Sequence, residues 1–224
     1  MQAVDEVLCQ KLRHLIAKTE LSVSDEQVNL LVAFVEMIQK WNQAYNLTSI
    51  RNVDDMLVKH IMDSIIVAPL LINKDNDKNT FIDVGTGPGL PGIPLAIMHP
   101  DKEFILLDSL GKRVRFMQQV IYNLKIKNAK PVQSRVEEYT DGIPFSGVIS
   151  RAFASTQDML HWCHHLLDET GKFFALKGQY PSAELDQLKT DYTVVEAHTL
   201  QVPHLIGERH LIVISKNNNA KETK

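Results

Sequence analysis

Residues 81 to 94 read Phe-Ile-Asp-Val-Gly-Thr-Gly-Pro-Gly-Leu-Pro-Gly-Ile-Pro, an apolar run that opens into glycines at 85, 87, 89 and 92. Glycine suits a chain that must turn tightly and let a ligand touch its backbone. Pro91 is placed to open a helix just beyond. Asp83 stands two residues before the first glycine, giving D-x-G-x-G-x-G. That acid is expected to orient either the loop or the amino group of a ligand. Open parallel sheets bind ligands outside the carboxyl ends of their strands, which is where such a loop lies. Asp108 ends the following apolar run, where an acid would accept hydrogen bonds from ribose hydroxyls.

The loop alone leaves three readings. Gly87, Gly89 and Gly92 satisfy G-x-G-x-x-G, so a dinucleotide-binding dehydrogenase is one. A methyltransferase using S-adenosylmethionine is the second, and a Gly/Pro-rich turn with no ligand the third. Two features favour the methyl donor: the acid at 83, and the absence of a second βαβαβ half for a nicotinamide.

The elements that position the loop can be read from apolar spacing. Val28, Leu31, Val32, Val35, Ile38 and Trp41 recur at helical intervals, with Ser24 and Gln27 as a capping box. An earlier helix is expected over Val4–Ala17 and a third over Asp54–Ile66, ended by Pro69. The apolar-free segment Asn73–Asn79 reads as a linker. Beyond it, strands are expected at Thr80–Val84, Phe104–Leu107, Pro131–Gln133, Gly147–Ile149, Lys172–Leu176, Thr193–Val195 and His210–Ile214. Helices over Pro91–Met98, Lys112–Leu124, Thr156–Leu167 and Ser182–Lys189 separate most of them. Alternation of this kind predicts βαβ units and a doubly wound, mostly parallel α/β sheet. The last two strands lack a long helix between them and should form an antiparallel hairpin. The division expected is a helical extension over 1–72 packed on the core, a sheet domain over 80–216, and a frayed polar tail over 217–224.

Composition narrows the class. A chain 44% hydrophobic and 23% charged has the balance of a soluble globular protein. No apolar stretch is long enough to span a bilayer, and Asp5 and Glu6 break any signal-peptide pattern, so a cytoplasmic protein is expected. Cys9 and Cys163 have no disulfide or metal-ligand spacing and read as buried thiols. The nine histidines are scattered, and His164 and His165 should point apart on a helix, so no metal site is expected. Trp41 and Trp162 read as core rather than base-stacking platforms. The net charge of −3 argues weakly against a nucleic-acid partner. Yet Ser109–Val136 holds no acid while carrying Lys112, Arg113, Arg115, Lys125, Lys127, Lys130 and Arg135, which suggests a basic, RNA-facing surface.

Several segments together resemble the RsmG family, also called glucose-inhibited division protein B. They are Trp41–Thr48, His60 with Asp63-Ser64, Phe81–Pro94, Leu107–Arg113, Ser134–Glu138 and Val148–Ala152. The glycine loop is common to many methyltransferases, but the series in this order is specific and covers nearly the whole chain. The resemblance implies a Rossmann-like class I methyltransferase fold, with S-adenosylmethionine as donor and N7 of a guanine in small-subunit (16S) ribosomal RNA as acceptor. The partner would be that RNA or the small ribosomal subunit, and nothing requires more than a monomer. Carried over by position, the donor contacts would be Gly85, Leu90, Val136, Glu137 and Arg151, with Gly87 and Asp108 added from the loop and the second strand. Asn46, His60, Asp63 and Lys177 are candidates to line the guanine or RNA entry, against plainer roles as a cap, a satisfied surface histidine and an ordinary lysine. No catalytic acid or base is expected. A non-catalytic ribosome-binding protein, which would bind neither donor nor dinucleotide, stays open at this point.

Overall fold

The computed structural model describes residues 4–71, 80–140, 142 and 144–217. Helix α1 (Glu6–Ile16) starts at Asp5, whose carboxylate accepts from the Val7 and Leu8 amides. Helix α2 (Asp25–Tyr45) starts with the expected capping box, Ser24 and Gln27 bonding reciprocally, and ends at Asn46 in the left-handed conformation. The third helix is less regular than its spacing predicts. Asn52 caps α3 (Val53–Met56), the chain widens into a π-helical segment (Leu57–Met62), and α4 (Asp63–Ile65) closes it.

The sheet strands are β1 (Thr80–Val84), β2 (Glu103–Asp108), β3 (Ala129–Gln133), β4 (Phe145–Ser150), β5 (Leu167–Lys177), β6 (Tyr192–Thr199) and β7 (His210–Lys216). Their order is β3-β2-β1-β4-β5-β7-β6, with the first five parallel and β7 antiparallel to both β5 and β6. Helices α5 (Gly92–Met98), α6 (Gly111–Leu124) and α7 (Thr156–Cys163) make the crossovers, and a one-turn α8 (Ser182–Leu185) follows β5. All seven strands and the terminal hairpin stand where the apolar runs placed them.

Both faces of the central sheet are covered, so its strands are apolar almost throughout. Phe81, Phe104, Ile149, Phe174, Leu211 and Val213 face α5, α6 and the N-terminal helices in one cluster. The alternate residues Ile82, Leu107, Val148, Phe173 and Ile212 face α7 in a second. Helix α2 packs against both α5 and α6.

Several details depart from the sequence reading. Helix α7 stops at Cys163, and β5 begins at Leu167 opposite Phe145, so the polar residues 168–170 belong to the strand. Trp162 is 40% exposed, because the buried stripe of this short helix is Thr156, Met159, Leu160 and Cys163 and leaves position 162 outside. Trp41 is half-buried edge-on to Phe116, as expected of a core residue. The rings of His164 and His165 do not diverge; a 3₁₀ turn sets them edge to face, 5.7 Å apart. Both cysteines are buried. Asn217 is not frayed, since its backbone N–H and side chain bond Asp191, Thr190 and Thr193. The linker 73–79 and the tail beyond 217 lie outside the described residues.

Candidate donor-binding site

The strand order reverses direction between β1 and β4, so a crevice opens at the carboxyl ends of those strands. There the glycine loop leaves β1. The Gly85 and Thr86 amides both donate to the Leu107 carbonyl, tying the loop to β2. Gly85 has φ +70°, and a Cβ there would sit 2.7 Å from the Ala152 Cβ. It is therefore required on two counts, conformation and close approach. Gly87 has φ +64° but open space where a Cβ would be.

Two buried acids brace this loop from opposite sides. Asp83 Oδ2 accepts from the Thr86 hydroxyl (2.6 Å) and the Gly92 N–H (2.7 Å), joining the start of the loop to the start of α5. Its side chain is sealed from solvent, and burial pushes its carboxyl up to about 6, against the pull of those hydrogen bonds. Of the two roles expected for it, orienting the loop is the one seen. Asp108 Oδ2 accepts from the Gly87 N–H (2.9 Å) and from Arg113 Nη1 (3.1 Å), and Oδ1 accepts from the Leu110 N–H (2.9 Å). The carboxylate expected to serve a ribose is thus already held by three protein donors while it lines the crevice.

The crevice itself is a groove of about 380 Å³, within the range of small-molecule sites. Gly85, Asp108, Val136 and Glu137, four of the expected donor contacts, line it together. Leu110, Arg113, Arg135 and Phe153 also line it and were not foreseen as site residues. Leu110 and Phe153 follow strand ends and offer apolar walls to a planar ring; a large apolar residue just past a strand is the signal that could have found them. Arg113 was counted with the basic surface, but its ion pair with the 3%-exposed Asp108 side chain makes it part of the site.

Three expected contacts do not line the groove with their side chains. Gly87 is buried, its N–H given to Asp108. Leu90 turns its side chain into the core and its N–H to the Thr86 carbonyl. Arg151, just past β4, points its guanidinium to Asp63 (2.9 Å), whose other oxygen takes Arg209 (2.8 Å).

The N-terminal candidates separate as well. His60 is buried with Nε2 against the Thr48 hydroxyl at 2.9 Å, and burial, then Arg151, lower its pKa to about 4, so it is neutral. Asn46 caps α2 and accepts from Arg51, and Lys177 pairs with Glu184 at 3.2 Å. Among the described residues no group of three His, Cys, Asp or Glu side chains is placed to hold a metal.

The arrangement separates the rival ligands. A dinucleotide fold continues its parallel sheet into a second mononucleotide half. Here β7 runs backwards between β5 and β6, and the sheet ends. Sheet and groove together define a Rossmann-like class I methyltransferase. Solved structures share this fold at low identity. TrmN from Thermus thermophilus matches with TM-score 0.55 and 13% identity over 72% of this chain and 53% of that longer one. TrmK from M. capricolum, in complex with S-adenosyl-homocysteine, matches at 0.52 and 15% over 67% and 66%. Residues 27–212 match the family described as GidB, rRNA small subunit methyltransferase G. A relative named ribosomal RNA small subunit methyltransferase G, from Colwellia psychrerythraea, is 58% identical over 93% of this chain and 98% of its own. One of the same name from Salmonella typhimurium is 57% identical over 94% and 99%. The chain belongs to the rRNA small subunit methyltransferase G family.

Proposed function

We propose that the protein transfers a methyl group from S-adenosylmethionine to N7 of a guanine in 16S ribosomal RNA. The observation that carries this is membership of that family across nearly the whole chain, and the geometry of the groove supports it. S-adenosylmethionine supplies, when bound, an electrophilic methyl group on a cationic sulfur. The residues present fit such a ligand. Gly85 leaves the loop backbone open to approach, Gly87 leaves open space where a Cβ would stand, and Leu90 anchors the loop from inside. Val136, Leu110 and Phe153 offer apolar contact, while Asp108 and Glu137 offer acceptors. Arg151 contributes its backbone at the end of β4, its guanidinium being engaged with Asp63.

Guanine N7 is a lone-pair acceptor and carries no proton. Its methylation needs no general base, and no residue is assigned as one. The chain's task is to hold N7 in line with the methyl group and exclude water, a contribution on the order of 7–11 kcal/mol in well-oriented reactions. The exposed cations of α6 and the turn after it, Lys112, Arg115, Lys125 and Lys127, suit the RNA backbone.

The same reading has residues 1–72 as a helical extension on a methyltransferase domain of 80–216, working in the cytoplasm as a monomer. Support for the extension comes from α2 packing on α5 and α6. Among the described residues no helix is long and apolar enough to cross a membrane. Calorimetric titration tests the donor. S-adenosylmethionine and S-adenosylhomocysteine should bind and NAD should not; binding of NAD alone would return the dehydrogenase reading.

A further inference from the structure

Asp63, Arg151 and Arg209 are far apart in sequence, yet they meet beside the donor groove. Arg151 follows β4, and Arg209 precedes β7, whose His210 pairs with Lys177 at the end of β5. Both arginines therefore stand at the carboxyl edge of the sheet, next to the strand end that borders the groove. Asp63 caps the end of the π-helical segment and opens α4, and π segments are uncommon and concentrate at functional sites. Its side chain is 8% exposed, and each of its oxygens takes one guanidinium.

The side of the cluster that meets solvent is cationic. One carboxylate faces two guanidiniums, whose side chains are 26% and 30% exposed. Neutral His60 adds no charge, and Lys177 is matched by Glu184. Asp83 also feels the Arg151 charge but is sealed beneath the loop, so the cluster turns toward solvent two guanidinium forks whose orientation a buried acid fixes. An acid used only for pairing would need one arginine; this one aligns two. Guanidinium forks in fixed orientation suit a phosphate, which accepts several hydrogen bonds at once.

We propose that Arg151 and Arg209, held side by side on Asp63, seat a phosphate of the RNA substrate next to the donor groove, with Asp63 as the positioning residue. This rests on the rRNA methyltransferase reading above. It gives the target nucleotide a fixed point on its backbone, which in-line transfer to a ring nitrogen requires.

The test uses the full chain, small ribosomal subunits lacking the methyl group, and the variants Arg209→Ala, Arg209→Lys and Asp63→Asn. Arg209→Ala should raise KM for the subunits about tenfold, as expected for losing a charged hydrogen bond. It should lower the slope of log affinity against log salt by about 0.7–0.9, the value of one phosphate contact. Donor affinity by calorimetry should stay at the wild-type value. Arg209→Lys should restore the salt slope but only part of the KM, because the fork is gone. Asp63→Asn should raise KM with donor affinity unchanged; if it does not fold, the two variants at half-exposed Arg209 decide alone. Wild-type KM and salt slope in Arg209→Ala would overturn the phosphate seat, as would a parallel loss of donor affinity. A wild-type protein that binds no S-adenosylmethionine and methylates no ribosomal RNA would overturn the parent reading instead.

Discussion

Single residues in the loop make separable demands. Gly85→Ala combines a left-handed φ with a Cβ 2.7 Å from Ala152, whereas Gly87→Ala meets only open space. Gly87→Ala should therefore cost about 1 kcal/mol of backbone strain. Gly85→Ala should be worse in both stability and donor affinity; equal effects in denaturant and calorimetric titrations would contradict the tight approach. His60 makes a pH prediction. Its pKa is about 4 in the fold against about 6.5 unfolded, so above pH 6.5 both states are neutral and stability is whole. As pH falls from 6.5 to 4 the unfolded chain takes the proton first, and roughly 3 kcal/mol is lost. Asp83, raised to about 6 from 3.8, works in the opposite direction, losing stability as pH rises through that window. His60→Gln should thus remove the acid-side loss and leave a protein that gains stability from pH 6 down to 4. Parallel urea profiles for variant and wild type would show that His60 does not titrate in this way. At this scale the glycines, Asp83 and Asp108 were legible because strand and loop are contiguous in sequence. The Asp63–Arg151–Arg209 contact was not, because its members lie 88 and 146 residues apart.

Among the elements, those with a strong period were the legible ones. Helix α2 shows its apolar stripe and its capping box openly, and Ser24→Ala should cost about 1 kcal/mol by removing an amide partner at the helix start. Thermal unfolding checks this; no change in melting temperature would mean water replaces the cap. The π-helical segment hid because it breaks the 3.6-residue period that sequence reading relies on. Helix α8 was expected to reach Lys189 but ends at Leu185, since one turn after Pro181 has no buried residue to extend it. The basic stretch was visible as composition but not as geometry: Arg113 faces inward to Asp108, while Lys112, Arg115, Lys125 and Lys127 are exposed. Reversing those four charges should weaken RNA binding and flatten its salt dependence, with donor affinity retained. A retained salt slope would assign the RNA to another face.

For the molecule as a whole, one sheet covered on both faces gathers the ends of β1 to β4 around the groove proposed for the donor. This architecture was readable because alternating apolar runs and helices allow few alternatives. The place of β7 between β5 and β6 was not, since strand order depends on which edges remain unpaired rather than on local pattern. On the proposed function the groove positions and need not deprotonate, in keeping with Asp108 committed to three donors and Asp83 sealed beneath the loop. Single-turnover rates at saturation should accordingly show no ionisation that disappears on replacing Glu137, the exposed carboxylate of the groove. The most direct measurement is the identity of the methylated atom. Small ribosomal subunits are incubated with the protein and S-adenosylmethionine, and the digested 16S RNA is read by mass spectrometry. The expected product is 7-methylguanosine at a single site. A methyl group on an exocyclic amine, whose proton must leave, or no methylation by a protein that binds the donor, would contradict the account.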